Sequence, residues 1–192
     1  MHASIYYLMI LFLAINPDQL FYDSKSDFKT DVVGLNNSND KLEMIKTVKG
    51  FLHWYKKNYT KANSFGFTYQ DRNGNFQVST TQGLEYLKFL KSSGFISQKY
   101  VDVWLKYFMD KAQYLKENPQ NEGPPEGFEF DLVLITQEPE LVFKEIEKMT
   151  FTVTEKKGDK AILQINGLGY NIDLVKESGK WMIEYIATEN YD

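Results

Sequence analysis

The 192-residue chain contains no cysteine and only two histidines. Without cysteine there can be no disulfide, thiolate nucleophile, thiolate zinc site or lipid-acceptor thiol. Stability must therefore come from an apolar core, and an apolar content of 43% is enough for one. Two imidazoles, His2 and His53, are too few for a histidine-built zinc or iron centre. Basic charge is also scarce. Against 26 acidic side chains there are 22 basic ones, a net charge of -4, so no general attraction to phosphate backbones exists and nucleic acid is not an expected partner. The apolar run Ile5 to Ile15 has eleven residues, whereas a membrane-spanning helix needs about twenty.

That run, followed by Asn16-Pro17, reads as the apolar region of a signal peptide, although no Lys or Arg precedes it and no A-x-A cleavage site follows. Residues 1–27 are read as this segment with its tether, 28–39 as a polar linker, and 40–192 as one domain. The expectation is export to the periplasm or cell envelope, with membrane attachment only if the N-terminal segment stays uncleaved.

Within the domain, Asp40 and Glu43 suggest a capped helix start, and Leu42, Ile45, Val48, Phe51, Leu52 and Tyr55 recur at helical spacing up to about Lys61. Asp71-Arg72-Asn73-Gly74-Asn75 predicts a tight turn. Thr81 is the expected cap of a second helix, closed by Ser92-Ser93-Gly94. A third, predicted to be the longest, opens at Ser97 with the stripe Tyr100, Val101, Trp104, Leu105, Phe108, Ala112 and Leu115, and ends at Asn118-Pro119. Pro119 to Gly127, with three prolines and two glycines, predicts a hinge-like linker.

Strand signals follow. Phe128 to Ile135 alternates and predicts a first strand. Four further apolar sets recur every second residue: Phe151 and Val153; Ala161, Leu163 and Ile165; Tyr170, Ile172 and Leu174; Trp181, Ile183, Tyr185 and Ala187. Helices first and antiparallel strands last is the α+β pattern, amphipathic helices packed on a curled C-terminal β-meander. The Phe51-Leu52-His53-Trp54-Tyr55 helix, the Tyr100-centred helix and the closing Gly179-Lys180-Trp181-Met182-Ile183 strand resemble the nuclear-transport-factor-2-like, cystatin-like superfamily over about Asp40 to Ala187. Within it, the chain resembles the YbjP-like bacterial envelope family of unknown function, but without that family's lipoprotein cysteine. The resemblance implies a cone-shaped fold whose mouth holds a small ligand oriented by tyrosine hydroxyls, and homodimerisation through the sheet; it supplies no catalytic motif.

No residue set amounts to a catalytic or metal signature. His53 has no G-x-S-x-G elbow to serve. Asp71, Asn73 and Asn75 imitate a calcium loop, yet Phe76 and Gln82 stand where glycine and glutamate are required. Gly167-Leu168-Gly169 is read as a hairpin turn, and Asp131 and Asp173 as solvent-facing strand residues. Glu122, Glu126 and Glu129 read as a solvated loop, or else as an acidic edge for a basic partner. The expected pocket lining is Tyr55, Tyr59, Tyr100, Trp104, Tyr170, Trp181 and Tyr185, residues that core packing would explain equally well. These residues favour a non-enzymatic, cofactor-free protein that binds a protein partner or a small ligand, in an accessory or immunity-type role. The alternative is a small cofactor-independent hydrolase, dehydratase or isomerase using His53 or a tyrosine with a strand carboxylate.

Overall fold

The computed structural model of the chain describes residues 38–188. The signal-peptide-like segment and nearly all of the polar linker lie outside the described residues. Helix α1 (Ser38–Ala62) is followed by a hairpin of β1 (Thr68–Gln70) and β2 (Phe76–Val78), then α2 (Thr80–Lys91), α3 (Gln98–Glu117) and α4 (Pro139–Glu145) with a 3-10 turn Ile146–Lys148. The chain closes with β3 (Phe151–Lys157), β4 (Lys160–Ile165), β5 (Tyr170–Glu177) and β6 (Lys180–Thr188). These last four make one antiparallel sheet in sequence order. The molecule is α+β, with helices N-terminal to a curled antiparallel meander.

Helix α1 is the longest described, 25 residues against 20 in α3, reversing the expected order. Met44, Val48, Phe51, Leu52, Tyr55 and Ala62 are its buried apolar positions, spaced so that they fall on one helical face. Leu42, expected in this stripe, is 55% exposed because it falls on the opposite side of the wheel. Helix α2 is capped by Ser79 rather than Thr81: the Ser79 hydroxyl accepts the Gln82 N–H at 3.3 Å. Ser97 does the same for Tyr100 at 3.1 Å in α3. Gly83 in α2 lets that helix approach α3 closely, since a Cβ there would lie 2.7 Å from the Phe108 ring. Around this contact Phe67, Tyr86, Phe108 and Phe128 pack ring against ring, with centroids 5.2 to 6.5 Å apart.

The proline- and glycine-rich stretch is no hinge. It is strapped to α3 by three side chains one turn apart: the Tyr107 hydroxyl donates to Gly127 O at 2.6 Å, Lys111 pairs with Glu126 at 3.1 Å, and the Tyr114 hydroxyl donates to Glu126 at 2.7 Å. Those bonds hold the Glu126 carboxyl below its ordinary range, Tyr114 contributing most. Glu129 accepts the Gly127 N–H at 2.8 Å. Two of the three acids expected at a solvated loop or acidic edge are thus bound within the chain, and Glu122 is exposed.

Phe128 to Ile135 is likewise not a strand. Its only bridge among the described residues is Asp131 to Thr136, across its own loop. Alternation misled here because Phe128 packs among the helices while Leu132, Val133 and Leu134 are all buried in succession, a pattern no two-faced strand produces.

In the sheet, two bulges decide which side chains face the helices. On β6, Asp173 pairs with Tyr185 but Leu174 pairs with Ile183, so Glu184 is extra and the alternation shifts by one. Ile186 enters the core, and Tyr185 and Ala187 turn to the other face, half-buried. On β3, the register slips between Val153 and Glu155. Lys156 therefore shares the inner face with Ala161. The free side of β6 is closed by a parallel bridge to Ile96, with Ser97 N–H donating to Ile183 O and Ile183 N–H to Phe95 O, both 2.8 Å.

Helix α1 lies on the inner face and is bonded to it at two levels. The Thr47 hydroxyl donates to Trp181 O at 3.0 Å. Asp40, expected as an N-cap, lies inside the first turn and reaches the end of the sheet. Its carboxylate meets Lys176 at 2.9 Å, Lys156 at 3.0 Å and the Trp181 indole N–H at 3.3 Å. Lys176, Lys156 and the indole together hold the Asp40 pKa at about 2, against the opposing effect of burial; Asp40 in turn raises Lys176.

Candidate functional site

Besides the Asp40 group, the described interior has a second polar focus, where α1, α2, α3 and β5 converge on Asp131. The 131–136 loop is a closed turn: Asp131 N–H donates to Thr136 O at 2.9 Å and Ile135 N–H to Asp131 O at 2.7 Å. One carboxylate oxygen of Asp131 accepts the N–H groups of Val133 at 3.0 Å and Leu134 at 2.7 Å. The other accepts the Tyr55 hydroxyl at 2.6 Å. From β5 the Tyr170 hydroxyl donates to Leu134 O. The loop carries Ile135 at φ 49°, a left-handed conformation that a β-branched side chain adopts only when its surroundings enforce it.

Burial raises the Asp131 carboxyl above its ordinary range, and the Tyr55 hydroxyl and the two backbone N–H groups oppose that rise. The same burial lifts Tyr55, Tyr86 and Tyr100 well above a normal phenol and pushes Tyr170 up to about 12, with the Asp131 charge adding to each. Half-buried Tyr59 is raised for the same reasons. Five tyrosines thus remain protonated around one carboxyl. Chemically, the arrangement can hold a proton between Tyr55 and Asp131, and it can donate phenolic hydrogen bonds.

Of the seven residues expected to line a pocket, Tyr55, Tyr59, Tyr100 and Tyr170 belong to this group. The Tyr55 and Tyr59 rings meet edge to face at 5.8 Å. The Trp104 ring lies tilted beside Tyr100 with centroids 6.3 Å apart, and its indole N–H is buried without a hydrogen-bond partner among the described residues. Trp181 lies apart, bonded to Asp40, and Tyr185 is on the other face of β6. The void between α1 and the sheet measures about 10 Å³ and is lined by apolar side chains, among them Phe51, Leu52, Leu134, Tyr170 and Ile183; it has room for one water at most. Asp131 and Tyr86 were missed by sequence reasoning. The tyrosines gave a compositional signal, but nothing local marked the carboxylate as turned inward.

The other candidates lie on the surface. His53 is exposed and pairs with Glu147 of the 3-10 turn at 3.2 Å. Asp71 accepts the N–H groups of Asn73 and Asn75 at 2.8 and 3.0 Å, so its carboxylate closes the β1–β2 turn. Among the described residues no cluster of three or more His, Asp or Glu is placed to hold a metal, and no helix is long and apolar enough to cross a membrane. In comparison with known proteins, no family model, curated protein or solved structure matches the chain.

Proposed function

We propose that this is a non-enzymatic, exported protein of the bacterial cell envelope that acts by binding, as an accessory or immunity-type partner of another protein or as the holder of a small ligand. One observation carries the reading: Tyr55, Tyr170 and Trp181, three of the residues expected to line a pocket, have their polar groups engaged with the chain itself, the buried Trp104 indole N–H being the exception. The Tyr55 hydroxyl goes to Asp131, the Tyr170 hydroxyl to Leu134 O and the Trp181 indole to Asp40, while the adjoining void is about 10 Å³. Groups arranged this way stabilise a scaffold, and recognition then falls to the surface.

A second reading is favoured by the Tyr55–Asp131 contact. A carboxyl raised by burial, 2.6 Å from a phenol, is a unit that proton-transfer enzymes use. An activity screen with ester, thioester and enone substrates separates the two. The binding reading expects no turnover by the full chain beyond the buffer rate. Turnover that Asp131→Asn abolishes at unchanged melting temperature would overturn it in favour of the enzyme.

A further inference from the structure

The outer face of α1 carries a charge pattern that neither the core nor the tyrosine group explains. At 100° per residue, Leu42, Lys46, Lys49, His53, Lys56, Lys57 and Thr60 all fall within about 60° of one line along the helix. That line runs for roughly 27 Å. No acidic residue of α1 shares it: Asp40 is turned into the sheet, and Glu43 is 100° away on the wheel. From the neighbouring 3-10 turn, Glu147 faces the ridge and pairs with His53, while Lys49 and Lys56 donate to the backbone carbonyls of Glu147 and Phe143 at 3.1 and 3.2 Å, acceptors that carry no counter-charge. The segment 138–148 that packs against α1 adds no net positive charge: it carries Lys144 and Lys148 against Glu138, Glu140, Glu145 and Glu147, with Lys148 paired to Glu145 at 3.4 Å, so the positive charge of the ridge is that of α1 itself.

We propose that this ridge docks the protein on an anionic phospholipid surface. Charge complementarity identifies the partner class, and three further features favour a membrane over a nucleic acid. The ridge follows one side of a single helix, a line that a plane can follow. Its cations are lysines, point charges suited to a diffuse anionic surface, with no arginine fork to grip individual phosphates. Leu42, 55% exposed on the same line, offers an apolar side chain to the interface, whereas none of the aromatic rings of α1 that could stack on bases lies on it: Phe51 and Tyr55 are buried on the opposite side, and the partly buried Trp54 and Tyr59 are turned about 110° away. The surface is separate from the Asp131 group, and the inference does not rest on the binding function proposed above.

Flotation of the full 192-residue chain with vesicles tests it, using pure phosphatidylcholine and an equimolar mixture with phosphatidylglycerol, each at low and high salt. Each lysine near such a surface strengthens binding about fivefold, so Lys46→Gln with Lys57→Gln should weaken binding to the mixed vesicles about 25-fold. Lys88→Gln with Lys106→Gln, on α2 and α3, should leave it unchanged. Equal binding to both vesicle types, or equal binding by wild type and the α1 variant, would overturn the proposal. So would failure to bind the mixed vesicles while a DNA duplex binds with the same lysine dependence, since the ridge would then serve a polyanion of another class.

Discussion

Replacing Asp40 with asparagine keeps an oxygen for the Trp181 indole but removes the charge that two lysines share. The fall in pKa from 3.8 to about 2 corresponds to about 2 kcal/mol, and screening at two lysines about a quarter exposed brings the expected loss to roughly 1–2 kcal/mol. In a chain of this length that lowers the melting temperature by about 2–8 °C. The sign with pH follows from the direction of the shift. A carboxyl whose folded pKa lies below its unfolded value contributes fully above about pH 4 and loses the contribution as pH falls through about 2. Urea unfolding of wild type and Asp40→Asn at pH 7, 4, 3 and 2.5 should show a gap that is constant between the first two and narrows through the last two. A gap that persists unchanged at low pH, or is negligible at pH 7, would refute the reasoning.

Other substitutions probe the strap, the turns and the tyrosine group. Gly127→Ala should cost about 2 kcal/mol or more in chemical denaturation, because at φ +87° its Cβ would lie 2.4 Å from the Tyr107 hydroxyl. Ser178, at φ 50° in the β5–β6 turn, should gain roughly 0.5–1 kcal/mol on replacement by glycine; a loss of stability would contradict the turn geometry. Tyr55→Phe removes the donor to Asp131 and should cost about 1–3 kcal/mol at pH 7. Because that hydroxyl lowers the Asp131 pKa, its removal should raise the carboxyl further, measurable by carboxyl-carbon NMR titration; no change there would contradict the contact.

What could be read in the sequence was local. The caps at Ser97 and the turn at Asp71 involve residues within four positions of each other, and the meander follows from a two-residue period. What could not be read depended on distant partners. Asp40 looked like a cap because its true partners lie 136 and 141 residues away. Asp131 looked solvent-facing because its loop imitates a strand, and only the fold brings Tyr55 to it. The two bulges are equally invisible: one extra residue at Glu184 exchanges Tyr185 for Ile186 in the core. The tyrosines expected to line a pocket do gather, but around a carboxylate that the sequence had assigned to the surface.

A filled interior beneath α1 underlies the packing of helices on sheet, and Trp181 reports on it directly. The chain has three tryptophans, so a Trp54→Phe, Trp104→Phe variant excited at the red edge, beyond tyrosine absorption, reports on Trp181 alone. With Trp181 1% exposed, its emission should be blue-shifted and acrylamide should quench it far less than a free indole. Emission and quenching close to those of a solvated tryptophan would contradict the packing of α1 on the sheet, and with it the argument that the interior is closed.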